Sequence, residues 1–440
     1  MLRVALSFRA RPATLLSVEA QVAVDLELPP VATSASEARR ILRDALSGGG
    51  SDDSFDAAQV AISEIVTNAL VHAGTPMRLR VLLLGSALRV ELRDGSPHLP
   101  HRRDYSSVAA TGRGLHMVAQ MVDRWGAYPD GRGKVVWFEI VDDEEDSGNV
   151  TGQVPDTALP DPDRSVEVEL INVPLLMHAA WQEHAAALLR EMMLIRLEED
   201  LSALVHHAGA SDALSVLFEQ VPVPDLGEDP EAIMGSATEP GVSMSRLTLR
   251  IPRASLEHFD LLDTMLEDAV ALSDLGELLS PPTQPEIRVM RQWICEQVRS
   301  QVAGRSGLAW LSPTDARAPV TPVPLDWDPA EVNGSDRALL TADDANLIIA
   351  ASPAALTRLG YEELDQLVGQ RLISIIPLRY HQAHIAGFTL HLINGRSPLL
   401  GHRVTVPVVR ADGSEADSQV TLHATPLPSG RRVFTAEFFD

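Results

Sequence analysis

Apolar and polar positions follow two different periods along this chain, and the places where the period changes divide it. Residues 64 to 73, Glu-Ile-Val-Thr-Asn-Ala-Leu-Val-His-Ala, lie in a strongly helical pattern. Leu88-Arg89-Val90-Glu91-Leu92 alternates as a strand does and runs into the turn residues Asp94-Gly95-Ser96-Pro97. Thr111-Gly112-Arg113-Gly114-Leu115 then opens a helix expected to continue to about Trp125. From 166 to 312 the pattern is mainly helical. One long amphipathic stretch covers 175 to 204 and is broken once, a second covers 256 to 279, and a third runs from Pro285 to Val302. Residues 221 to 245 hold Pro222, Pro224, Pro230, Pro240 and three glycines, which predicts a long irregular connection. A helical bundle or dimerising module fits this block, and a homodimer is compatible with it.

Residues 336 to 440 return to short strands. Two apolar runs around a polar turn at 338 to 349 predict a hairpin. Helices follow from Pro353 to Leu359, through Leu367, and around 380 to 392. Three strands then cover 400 to 409, 414 to 424 and 432 to 439, with Asp412-Gly413 as a tight turn between the first two.

Two polar stretches separate these blocks. Residues 142 to 165 begin Asp-Asp-Glu-Glu-Asp-Ser-Gly and scatter prolines, as a solvated tether does. Residues 313 to 335 carry Pro313, Pro319, Pro322, Pro324 and Pro329, a semi-rigid spacer. The expected organisation is a disordered lead-in over 1–18, a domain over 19–141, the acidic linker 142–165, a helical domain over 166–312, the proline-rich linker 313–335 and a C-terminal α+β domain over 336–440.

Composition narrows the partners. Hydrophobic residues make up 45% and aromatics only 4%, so the cores must be packed from aliphatic side chains. A net charge of −25 argues against direct nucleic-acid binding, which needs clustered Lys and Arg. No apolar run approaches the ~20 residues that cross a bilayer, so no membrane role is expected. Cys295 is the single cysteine, which rules out an intramolecular disulfide and points to a reducing, cytoplasmic setting.

Candidate chemistry lies in the first domain. Glu64 and Asn68 are four apart on a helix and project from one face. A carboxylate with an amide oxygen suits a hard cation such as Mg²⁺, and the carboxylate can also take a proton from an attacking hydroxyl. The plainer reading is two polar residues on the wet face of an amphipathic helix. Asp94 at a strand end, followed by Gly95, can accept a hydrogen bond from an exocyclic amine. Gly112 and Gly114 at a helix start expose backbone N–H groups to an anion such as phosphate.

In this order the three elements resemble the metal-binding and glycine-containing boxes of the ATPase fold shared by histidine kinases, gyrases and a class of chaperones. They are most similar to its anti-sigma-factor serine kinase branch in actinobacterial style. The resemblance covers residues 20 to 141 and ends in Gly133-Lys134-Val135-Val136-Trp137-Phe138-Glu139, similar to the closing strand of that fold. It implies an α/β-sandwich ATPase domain using ATP and Mg²⁺, with Asn68 holding the metal and Glu64 as the base. Asp94 and Gly95 would then read the adenine, and Gly112, Arg113, Gly114 and Leu115 would line the phosphate loop. Pro97 stands where the family's fuller pattern has a second glycine, which stiffens that turn.

The C-terminal segment resembles a PAS domain, carried by Gly360-Tyr361 with Leu367, Ile375-Ile376-Pro377, the late helix and the Asp412-Gly413 hairpin. Haem-binding members carry a histidine where this chain has Ser397-Pro398-Leu399, so no haem is expected. His381, His384 and His391 are expected at the surface of the late helix. His178, His184, His206 and His207 in the helical block fit no ligand spacing and no phosphoacceptor pattern.

Two functions follow from these resemblances. In one, the protein is a serine kinase that phosphorylates an anti-anti-sigma antagonist, with a sigma factor as a further expected partner; no histidine precedes His72, so the acceptor would lie on another protein. In the other it is a nucleotide-sensing or partner-binding signalling protein that transfers no phosphate. Glu64 and Asn68 favour the first and Pro97 the second.

Overall fold

The computed structural model describes residues 21–46, 52–84, 87–99, 114–131, 133–141, 164–196, 203–227, 229–281, 283–312 and 325–439. The chain is a mixed α/β protein in two compact units. The lead-in over 1–18, residues 142–163 of the linker expected over 142–165 and most of the proline-rich spacer lie outside the described residues, and Ser165 already begins a strand.

The first unit contains β1 (Gln21–Leu28), α1 (Ser34–Ala45), α2 (Asp52–His72), β2 (Met77–Leu84), β3 (Ala87–Asp94), α3 (Gly114–Met121), β4 (Arg124–Pro129) and β5 (Lys134–Val141). The strands form one antiparallel sheet in the order β1-β2-β3-β5-β4. Period-two alternation gives this sheet two unlike faces. Val90 and Leu92 of β3 and Val136, Phe138 and Ile140 of β5 point into a core closed by α1, α2 and α3. On α2 the residues Ala58, Ala61, Ile62, Ile65, Val66, Ala69 and Leu70 recur at helical spacing and supply the opposing stripe.

The other face of the sheet carries charge. Arg80, Glu91, Arg89 and Glu139 form a chain of ion pairs across three strands, and the Arg89 guanidinium lies 4.0 Å from the centre of the Trp137 ring. The helix expected to reach Trp125 stops at Met121 instead, and Trp125 pairs with Phe138 inside β4. Asp123 makes the change of direction: its N–H donates to Glu139 O at 3.1 Å and its carboxylate accepts from Val141 N at 2.8 Å. Pairing with β5 thus overrides a locally helical pattern.

The second unit begins with an antiparallel ribbon of β6 (Ser165–Pro174) and, later in the chain, β7 (Ser243–Pro252). This ribbon lies in a block whose pattern is mainly helical, although Val166-Glu167-Val168-Glu169-Leu170 alternates as a strand does. Between the two strands lie α4 (Leu175–Arg196), α5 (Ala203–Gln220) and the short α6 (Pro230–Ser236). Helix α6 falls inside the stretch expected to be irregular; Asp229 caps it, its carboxylate accepting from Ala232 N, and Pro230 stands at the first turn. After β7 come α7 (Leu256–Asp274) and α8 (Pro285–Val302).

The chain then runs through α9 (Ala330–Asn333), β8 (Ala338–Asp343), β9 (Ile348–Ala351), α10 (Pro353–Leu359), α11 (His381–Asn394), β10 (Arg403–Val409), β11 (Glu415–Pro426) and β12 (Arg432–Phe439). These five strands form an antiparallel sheet in the order β10-β11-β12-β8-β9. Gly413, at φ 80°, makes the hairpin turn between β10 and β11.

The helical block and this C-terminal sheet share a core. Ile373, Ile385 and Ala386 belong to the same apolar cluster as Leu176, Met177 and Ile287, because α11 packs along α4. Polar contacts support the seam: Gln382 accepts from Leu176 N at 3.1 Å and donates to Glu239 and to Ser243 Oγ. The histidines of α11 consequently differ from the surface positions expected of them. With α4 on one side and β12 on the other, His384 Nε2 meets Asn346 Oδ1 at 3.1 Å and His391 stacks edge-on against Phe434. In the helical block His178, His184 and His207 are buried in the core rather than placed as ligands.

Candidate functional site

Alternation along β3 places Asp94 on the helix-covered face, in line with Val90 and Leu92. The same alternation puts Lys134 there on β5, in line with Val136 and Phe138. The two residues are the last pair of the β3–β5 register, directly opposite one another. Lys134 Nζ donates to Asp94 Oδ1 at 3.0 Å, and both side chains are buried.

Backbone contacts fix this corner. Ser96 N donates to the same Oδ1 at 2.9 Å, an Asx turn, and His98 N reaches Ser96 Oγ at 3.3 Å. Pro97 is exposed between them. The donors that close this turn come from residues 96 and 98, so the missing N–H of Pro97 removes no bond from it. Gly95 N donates to Thr75 Oγ1 at 2.8 Å. Thr75 follows directly on the end of α2, where Gly74 takes φ 58° and its N–H bonds to Ala69 O. The C-terminal end of α2 is thereby tied to the end of β3. Gly133 is required on the other side: a Cβ there would lie 1.9 Å from Asp94 O, and its φ is 154°.

Glu64 and Asn68 stand on α2, which packs over β3 and β5. They flank the buried stripe of that helix and are half-buried. Neither makes a hydrogen bond or ion pair among the described residues. A carboxylate and an amide oxygen left open on one helix face are a donor set that fits a hard, water-retaining cation. Asp94 is perturbed by its surroundings. Burial raises its carboxyl above the usual range, and the Lys134 ammonium pulls it back down.

Gly114 opens α3 as expected, with Leu115 after it; Gly112 and Arg113 lie outside the described residues. Lys134 lies in the segment similar to a closing strand, and no local motif marks it as a site residue. Its signal was the register, since counting back from the alternating Val136 and Phe138 puts it on the same face as Asp94.

Residues 28–140 match the family described as the histidine kinase-like ATPase domain, and this segment is similar to such domains. An uncharacterized protein of Azorhizobium caulinodans is 32% identical over 108 residues, which cover 24% of this chain and 14% of that protein. Among solved structures, the chain is similar to the PAS domain of an HTR-like protein from Haloarcula marismortui at 21% identity. That match covers 25% of this chain and 91% of the other, with a TM-score of 0.20. The PAS domain of nitrogen regulation protein NR(II) from Vibrio parahaemolyticus matches at 24% identity over 25% of this chain and 94% of the other, with a TM-score of 0.18. Among the described residues no helix is long and apolar enough to cross a membrane.

Proposed function

We propose that the ATPase domain binds Mg-ATP and passes its γ-phosphate to a serine on an antagonist protein, as anti-sigma-factor kinases do. The observation that carries this reading is that α2, whose Glu64 and Asn68 side chains have no partner among the described residues, packs on β3 and β5, where Asp94 is held by Ser96 and Lys134. Asp94 accepts the adenine amine. The Asn68 amide oxygen would hold a magnesium ion arriving with ATP, and such an ion would supply the charge neutralisation that phosphoryl transfer needs. Glu64 takes the proton of the seryl hydroxyl as its oxygen attacks the γ-phosphorus and the bond to the bridging oxygen breaks. Residues 336–440 are proposed as a PAS module, on the strand order of the C-terminal sheet and the placement of α10 and α11 beside it. On this reading the partners are an anti-anti-sigma antagonist and a sigma factor, and the setting is cytoplasmic.

A second reading, nucleotide sensing without transfer, draws support from the stiff Pro97 turn. Titration of a fluorescent ATP analogue with and without Mg²⁺ tests the shared premise, and absence of binding sinks both readings. Asn68→Ala should remove the Mg²⁺-dependent part of the affinity. Labelled ATP with a candidate antagonist then separates them: transfer by the wild type and none by Glu64→Ala supports the kinase, and no transfer by either supports the sensor.

A further inference from the structure

Lys134 is the least explained charged group of the first unit. It is buried, and an ammonium has three N–H donors. Among the described residues it uses one of them, on Asp94 Oδ1 at 3.0 Å. Asp94 is the mirror case. Its Oδ1 accepts from both Lys134 and Ser96 N, while Oδ2 accepts from no described residue. Buried polar atoms without partners are costly, so a site that keeps them open is built to meet a ligand or ordered water. At one end of β3 and β5, then, a carboxylate oxygen with no partner among the described residues stands beside an ammonium group that uses only one of its donors on them.

That pair is complementary to two neighbouring atoms of one purine edge. Adenine presents its exocyclic amine, a donor, next to ring nitrogen N1, an acceptor. We infer that Lys134 is a second base-reading residue of the nucleotide site, donating to adenine N1 beside the amine that Asp94 Oδ2 accepts. The inference rests on the proposed nucleotide site and gives a role there to a residue that the closing-strand resemblance leaves without one. It also accounts for the shape of the corner. Gly133 lets the backbone before Lys134 approach the Asp94 carbonyl, and the register then sets ammonium against carboxylate.

A purely structural lysine would neutralise Asp94 without regard to the ring nitrogen, and this difference is testable. Affinities of the full chain for ATP and for 1-deaza-ATP, which lacks the N1 acceptor, should differ by about 10- to 100-fold, the worth of one hydrogen bond to a charged donor. In Lys134→Met the two affinities should converge to within about 2-fold by the same account, because the donor is gone. Lys134→Gln, which keeps an N–H donor without the charge, should give an intermediate ratio. Thermal melts establish whether each variant is folded; if neither is, the wild-type ratio decides. Equal affinities in the wild type, or a ratio unchanged in a folded Lys134→Met, would overturn the role of Lys134 and leave the nucleotide site standing. Failure of the wild type to bind either nucleotide overturns both.

Discussion

Arg371 and Glu286 meet at 2.8 Å, Nη2 to Oε2, and join the C-terminal sheet domain to the first turn of α8. Both are buried, at 2% and 5% exposure, and Gln284 stands at the edge of the pair. Removing one partner of such a pair strands a charge in the core. Arg371→Met should therefore destabilise the second unit by about 3–5 kcal/mol. Arg371→Met with Glu286→Leu should recover much of that loss, since apolar replacements of a buried pair are often neutral. Urea unfolding of the two variants checks this. A single variant as stable as the wild type would show the pair to be idle.

Gly133 and Gly131 make a controlled comparison within one turn. Both take positive φ, but a Cβ on Gly131 meets nothing within 4 Å, whereas one on Gly133 would overlap the Asp94 carbonyl. Gly131→Ala should cost about 1–2 kcal/mol from backbone strain alone. Gly133→Ala should cost about 3 kcal/mol or more, because the strands must part, and it should weaken nucleotide binding as well. Equal melting temperatures for the two variants would contradict the close approach.

The legibility of these features depended on whether the signal was local. Pro285–Val302 was read to the residue, because a proline at the first helical turn and a regular apolar period mark that helix without reference to anything else. The same held for Pro353–Leu359, capped by Ser352 and closed by Gly360 at φ 77°. Trp125 was misplaced because its strand exists only through pairing with β5, which no local window contains. The surface position expected for His384 failed for the same reason: it meets Asn346, some forty residues earlier, and packs beside Phe388, which lies against Phe434 of β12. In the candidate site, the spacing of Glu64 and Asn68 and the turn after Asp94 are local signals that a sequence displays. The pairing of Lys134 with Asp94 is not local, because it depends on which residue faces which across the β3–β5 ladder.

Cys295 is buried on α8, and its surroundings hold the thiol far above its ordinary pKa, chiefly through burial and then through the Asp263 carboxylate. The thiolate is the reactive form, so the native protein should not react with a thiol reagent over hours at neutral pH. Full labelling should appear once denaturant unfolds the second unit. Labelling that is rapid without denaturant would place the cysteine outside the core.

The three buried histidines of the helical block should make its stability depend on pH. Burial lowers His178 to about 3 and His184 and His207 to about 4. In the unfolded chain each titrates near 6.5. Between those values the unfolded state binds more protons than the folded state, so stability falls as pH falls through 6.5 and continues to fall toward 4. At pH 5.5, about one unit below the unfolded value, each histidine should cost about 1.4 kcal/mol relative to pH 8. His184 is the one to test, because its Nε2 sits 2.7 Å from Thr283 Oγ1 and a glutamine can keep that contact. Denaturant titrations at pH 8 and pH 5.5 should show His184→Gln losing about 1.4 kcal/mol less stability than the wild type over that interval, since its proton site is gone. If wild type and variant lose stability equally, His184 is not among the groups that set the acid limit of this core.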